Sequence, residues 1–271
     1  MKLFTLNTHA WMEEDQLKKI SQLAGFIDEQ NFDMMAFQEV NQSLGERSVS
    51  SAELAHFHRI DENSVIKADN YAYLLHKQLG IKYYWTYIPV HLGFGTYDEG
   101  LAILSRTPIL DAFSAYVSDI RDYDNYRTRK ILAIKTAVSG QETWFINGHY
   151  GWWGDEEPFK AQWDRCLDVF GRIGDQAAFI MGDFNNAAHR KGEGYDYVTG
   201  SGWHDCYVMA AEKDEGFTVV KAIAGWENST ENLRIDYVFS NRRLPVKSAR
   251  VVLDGKRGPV VSDHFGLAVQ L

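Results

Sequence analysis

The run Ala178-Phe179-Ile180-Met181-Gly182 passes directly into Asp183-Phe184-Asn185. A short apolar stretch that ends in turn-forming residues reads as a buried strand. The same pattern, or plain alternation, marks strands over Lys2 to Asn7, Met34 to Val40, Gly100 to Ser105, Ile131 to Thr136, Thr143 to His149, Ala178 to Gly182, Ile235 to Ser240, Ala249 to Leu253 and Gly266 to Gln270. Helical periodicity is sparser. It runs from Glu14 to Gln30, with Leu17, Ile20, Leu23, Ala24 and Ile27 on one face, and from Asn70 to Leu79, stopped by Gly80. A third helix is predicted to open at Asp155-Glu156-Glu157-Pro158 and to end at Gly174, where acids in the first turn complement the helix dipole. Its stripe of Phe159, Trp163, Cys166, Leu167 and Phe170 reads as core packing. Many short strands with few helices between them predict an α/β chain of two sheets packed face to face, with helices outside. The irregular order argues against a Rossmann or TIM arrangement, and no glycine-rich nucleotide loop or Walker sequence is present.

With 271 residues the chain can bury a substantial core without a disulfide or metal staple. No internal repeat or Pro/Gly/Ser linker interrupts it, so one domain over residues 1–271 is expected. Lys and Arg total 28 against 37 Asp and Glu, a formal net charge of −9. Duplex DNA is held largely by cations neutralising phosphates, so this balance argues against a stable nucleic-acid partner. Two cysteines, Cys166 and Cys206, exclude a disulfide framework and a thiolate zinc site, and two buried reduced thiols are expected. No apolar run approaches the ~20 residues of a membrane span. Met1 to Leu6 is too short an apolar stretch for a signal peptide, so a cytoplasmic protein without membrane attachment is expected.

Residues able to do metal or phosphate chemistry recur at the ends of the predicted strands. They are Asn7, Glu39, His149, Asp183 with Asn185, Asp236, and Asp263 with His264. Each alone has an ordinary reading as a turn former, a solvated acid or a satisfied histidine. Their recurrence at one strand end after another is the signal, because a rigid strand end holds a short side chain in a cleft. Carboxylates with an amide oxygen and no cysteine suit a hard divalent cation, Mg²⁺ or Mn²⁺, with Asn7, Glu39 and Asp263 as the natural ligands. Two histidines with acids available suit hydrogen bonding or proton transfer at a phosphoryl oxygen. Phosphoryl transfer needs positioning, a metal, donors for developing charge and a base for water. No Gly-x-Ser-x-Gly elbow marks a nucleophile, so direct attack by water is favoured over a covalent intermediate.

The ordered set Leu6-Asn7, Gln38-Glu39, Glu99-Gly100-Leu101-Ala102-Ile103-Leu104-Ser105, Gly148-His149, Gly182-Asp183-Phe184-Asn185, Arg234-Ile235-Asp236-Tyr237-Val238 and Ser262-Asp263-His264 resembles the endonuclease/exonuclease/phosphatase superfamily, the DNase I-like fold. The resemblance spans Leu3 to the C-terminus. It implies a four-layer α/β sandwich of two mainly antiparallel sheets flanked by helices, with a catalytic cleft at one edge. It also implies roles. Asn7 and Glu39 would bind the metal and Asp263 would lie at or near it. His149 would stabilise the phosphate with Glu99 orienting it. Asp183 would position or deprotonate water, Asn185 would hold a phosphate oxygen, and His264 would contact the scissile phosphate, steered by Asp236.

Superfamily members act on DNA, RNA, lipids, inositol phosphates and small phosphates, and fold alone does not choose among them. Asn186-Ala187-Ala188 and Leu233-Arg234-Ile235 depart from the inositol-phosphatase pattern. Trp152 and Trp153, directly after His149, read either as flat faces for a sugar, base or lipid head group or as aromatics buried under the loop. Arg127 and Arg129 read as a bidentate phosphate clamp or a solvated edge. Leu6-Asn7-Thr8-His9-Ala10-Trp11-Met12, Tyr97-Asp98-Glu99-Gly100-Leu101 and Gly148-His149-Tyr150-Gly151-Trp152-Trp153 look most like the maltose 6'-phosphate phosphatases of Gram-positive bacteria. That resemblance implies a small phosphorylated sugar as substrate, hydrolysed to maltose and phosphate. A nucleic-acid phosphodiesterase and a non-catalytic binding module are the alternatives.

Overall fold

A computed structural model of the chain describes residues 1–61 and 64–271. Its strands are β1 (Lys2–Asn7), β2 (Met34–Ser43), β3 (Tyr84–Gly93), β4 (Tyr97–Ser105), β5 (Ile109–Tyr116), β6 (Lys130–Val138), β7 (Gln141–His149), β8 (Ala177–Asp183), β9 (His204–Asp205), β10 (Ala210–Lys213), β11 (Asp236–Ser240), β12 (Val246–Val252) and β13 (Gly266–Gln270). Its α-helices are α1 (Gln16–Gln30), α2 (Tyr71–Gln78), α3 (Phe159–Phe170), α4 (Gly194–Gly200) and α5 (Cys206–Met209). One sheet has seven strands in the order β10-β12-β13-β1-β2-β4-β3 and the other six in the order β5-β6-β7-β8-β11-β9. Within each sheet antiparallel pairings outnumber parallel ones, which are β1–β2, β10–β12 and β7–β8. This is the two-sheet α/β sandwich expected from the strand count.

The strands read as continuous apolar runs because both faces of each sheet are covered. On β1 and β2, Leu3, Met34 and Ala36 face the second sheet, while Phe4, Leu6, Met35 and Phe37 face α1 and α2. On β6, Leu132 and Ile134 point into the inter-sheet layer, and Ile131 and Ala133 point out under α3. In the inter-sheet layer Phe145 and Phe179 stack with ring centroids 5.6 Å apart. On the outer face Phe159, Trp163 and Cys166 of α3 bury the predicted stripe.

α3 corrects one expectation. It begins at Phe159 with Pro158 as its N-cap, so the three acids lie before it. They serve tertiary contacts: Asp155 accepts from Arg127 Nε, and Glu157 accepts from the Asp119 and Ile120 amides and from Arg165. β3, β5, α4 and α5 carry no clear period in the sequence and emerge only from packing. Both cysteines are buried thiols. Among the described residues no helix is long and apolar enough to cross a membrane.

Candidate active site

Strand register assembles the centre. β7 and β8 are parallel with His149 opposite Asp183, and β8 and β11 are antiparallel with Asp183 opposite Asp236. Three strand-end side chains thus stand abreast on one sheet. Gly182 permits this pairing: its φ is 146°, and a Cβ there would lie 1.9 Å from the Gly148 carbonyl oxygen. The other sheet contributes Asn7 and Glu39. The β2–β4 register shifts between Phe37 and Val40, and Glu39 takes φ 49° at that bulge. A buried polar bridge between the sheets holds the bulge. Asn147 Nδ2 donates to Phe37 O at 2.7 Å and to Ala102 O at 2.9 Å, while Gln38 Nε2 donates to Asn147 Oδ1 at 2.6 Å.

Asn7 ties the two sheets together at the site. Its Nδ2 donates to Glu39 Oε1 at 2.8 Å and to Asp183 Oδ2 at 3.1 Å, and its Oδ1 accepts from the His9 amide at 3.1 Å. Asn7 thus braces two carboxylates through its amide nitrogen, and its oxygen, which accepts one hydrogen bond, keeps a lone pair for the ligand role expected of it. His264 Nδ1 lies 2.9 Å from Asp236 Oδ2, and its Nε2 lies 3.7 Å from Asp183 Oδ2. Burial opposes charge on His264, but Asp236 and Asp183 outweigh it and push the pKa up to about 10. A charged His264 donates from both ring nitrogens. Burial and Asp236 push Asp183 up to about 7. His149 behaves oppositely: burial, reinforced by Arg129, holds it well below the ordinary histidine range and therefore neutral. Its Nε2 lies 3.3 Å from Asn185 Nδ2, and Trp226 Nε1 donates to Asn185 Oδ1 at 3.1 Å.

The cleft above these residues has a volume of about 630 Å³. Glu39, Glu99, His149, Asp183, Asn185, Asp263 and His264 line it, together with Arg129, Trp152, Phe94, Tyr126 and the Ile223–Glu227 segment. Several expectations need correcting. Glu99 pairs with His91 Nε2 at 3.3 Å, so the carboxylate meant to orient His149 orients a different histidine. Asp236 Oδ2 meets His264, the pairing expected of it, while its Oδ1 has no hydrogen-bond partner among the described residues. Arg127 is tied to Asp155 at 2.9 Å and lies over the Tyr126 ring, outside the cleft lining. Trp153 packs edge-on against Tyr197 in the outer layer, whereas Trp152 faces the cleft and packs against Gly225. His9, His91, Phe94, Tyr126 and Trp226 escape sequence reading. His91 sits within β3, which has no clean period, and Trp226 lies far along the chain from the Asn185 it holds.

Buried Glu39 tests the fit of a divalent metal. Burial and the Glu99 carboxylate, with Asp263 adding to them, push its pKa up to about 8. No Lys or Arg pairs with it among the described residues. A buried carboxylate beside other acids, with no lysine or arginine paired to it, suits a hard cation, so Glu39 and Asp263 would hold one. Beside them His9, Glu13 and Asp263 form a second group, in which Lys19 Nζ already donates to Glu13 at 2.5 Å.

Buried acids and histidines gathered at the common edge of two packed sheets suit chemistry at a phosphoryl group. A model of the endonuclease/exonuclease/phosphatase family matches residues 12–264, and the chain belongs to that family, whose members are metal-dependent hydrolases of phosphoester bonds. No curated protein matches the chain. A family protein of Leptotrichia buccalis is 34% identical, with TM-score 0.86 and coverage of 100% of this chain and 98% of that one. A mannosyl-6-phosphatase of Bacteroides thetaiotaomicron is 19% identical, with TM-score 0.70 and the same coverage. A functionally unknown conserved protein of Enterococcus faecalis is also 19% identical, with TM-score 0.69 and again that coverage. At 19% these two share the fold.

Proposed function

We propose that the chain is a metal-dependent phosphomonoesterase of a small phosphorylated sugar, with maltose 6'-phosphate as the first candidate, acting in the cytoplasm by direct attack of water. The observation that carries this reading is the cleft: its floor holds the acid–histidine set, and Phe94, Tyr126 and Trp152 flank it. Aromatic faces with polar edges suit a sugar ring. The mannosyl-6-phosphatase activity of a structural neighbour is compatible with it.

Each residue has a task in that reaction. Asp183 accepts a proton from the attacking water, and its raised pKa suits a base working near neutrality. The water oxygen bonds to phosphorus as the phosphorus–oxygen bond to the sugar breaks, and the sugar leaves as the alcohol by taking up the proton that Asp183 removed from the water. His264, held charged by Asp236, donates from Nε2 to a phosphoryl oxygen. Neutral His149 lines the other side of the cleft, positioned by Asn185, whose amide is in turn fixed by the Tyr150 carbonyl and Trp226. A divalent cation on Glu39 and Asp263 would supply charge to the non-bridging oxygens.

The test is a substrate panel with Mg²⁺ or Mn²⁺. Release of phosphate from maltose 6'-phosphate or mannose 6-phosphate, abolished by EDTA, is expected. Turnover of plasmid or abasic DNA alone would assign the chain to the nucleases, and no turnover of any ester would make it a binding module.

A further inference from the structure

Arg129 makes no side-chain ion pair among the described residues, and only the longer-range attraction of Glu99 and the other cleft acids offsets its burial. It lies just before β6 and is 4% exposed. Its backbone is fixed on both sides: its amide donates to Ser118 Oγ at 2.8 Å, and its carbonyl accepts from the Val117 amide at 2.9 Å. Its Nε is buried without an acceptor, and no carboxylate lies within ion-pair distance of the guanidinium among the described residues. Its neighbours are spoken for, Arg127 by Asp155 and Lys130 Nζ by the Pro89 carbonyl at 2.9 Å. A buried, unpaired guanidinium is costly unless an anion arrives to meet it. Arg129 lines the substrate cleft, so that anion is the substrate's.

The shape beside it narrows the ligand. Behind the cleft, Arg129, His91, Glu99 and His149 line a recess of about 10 Å³. That is room for a single oxygen or water. The His91 Nδ1 atom is likewise buried without a hydrogen-bond partner among the described residues. An oxygen seated here is a non-esterified one, which monoesters and diesters both present. Near neutral pH the monoester carries one more negative charge, and that extra charge is what a buried guanidinium favours.

We propose that Arg129 is the specificity-determining residue of this cleft, binding a terminal non-esterified oxygen of a phosphate monoester and thereby favouring monoesters over diesters. The proposal rests on the phosphomonoesterase reading, and the test separates the two. Wild type, Arg129→Gln and Arg129→Lys are compared on p-nitrophenyl phosphate, on bis-p-nitrophenyl phosphate, and in calorimetric binding of inorganic phosphate with Mg²⁺ present. Loss of a preorganised charged donor predicts a fall of ~10²-fold in kcat/KM for the monoester in Arg129→Gln. The monoester-to-diester ratio should fall by at least ~10-fold, and phosphate binding should weaken in parallel. Arg129→Lys should restore part of both, since it keeps the charge but not the fork, and it carries the test if the glutamine variant does not fold.

Equal loss on both esters, or phosphate bound by Arg129→Gln as tightly as by wild type, overturns the assignment while leaving the phosphatase reading intact. If wild type turns over no monoester yet binds phosphate through Arg129, the phosphatase reading falls and the anion site stands.

Discussion

His264 illustrates how much a single side chain depends on what surrounds it. Its imidazole is buried, which alone would discharge it, and two carboxylates keep it charged. Removing the ring removes both the donor and the counter-charge between Asp183 and Asp236. His264→Ala and Asp183→Ala should each lower kcat/KM by ~10²–10⁴-fold, read against unchanged circular dichroism. Activity near wild type in either would refute the roles given to them. The cysteines show the converse case. Burial pushes the Cys166 thiol up to about 12 and raises that of Cys206 further. A thiol reagent should therefore find no fast-reacting cysteine in the native protein and two after unfolding.

At the scale of elements, the bulge in β2 matters more than any one contact. It turns Glu39 into the cleft, and the Asn147 side chain from the opposite sheet closes it. Asn147→Ala would strip the donor from two buried carbonyls and the acceptor from Gln38, costing ~3 kcal/mol in urea unfolding. Metal affinity should fall with it, because Glu39 loses its support. A variant that lost stability while binding metal as before would show that Asn147 serves packing alone. Nine strands and the main helices lie where hydrophobic period places them, since a strand covered on both faces must be apolar throughout. β3 and β5 carry no such signal: β3 is buried or half-buried throughout and includes Pro89 and His91, and β5 is half-buried or exposed throughout.

At the scale of the molecule, the two sheets bring acids from distant parts of the chain to one edge, and that concentration of like charge is unfavourable until a cation enters. Millimolar Mg²⁺ or Mn²⁺ should raise Tm. A concentration of 100 times Kd corresponds to about 2.7 kcal/mol, or roughly 5 °C for a chain of this size. Glu39→Gln should abolish the shift. A wild-type Tm indifferent to either ion would remove the metal from Glu39.

The order of motifs along the chain was enough to read out most of the strands, the acids and histidines that gather at the cleft, and the family, because backbone periodicity and residue chemistry are local properties. Partnership was not. Glu99 could be read as a strand-end acid but not as the partner of His91, and Arg127 and Arg129 look alike two residues apart. Folding pairs one arginine with Asp155 and leaves the other buried in the cleft with its Nε unpaired among the described residues. Which charge is satisfied depends on which groups the packed sheets bring within a few ångströms, and that distance is set only when the chain has folded.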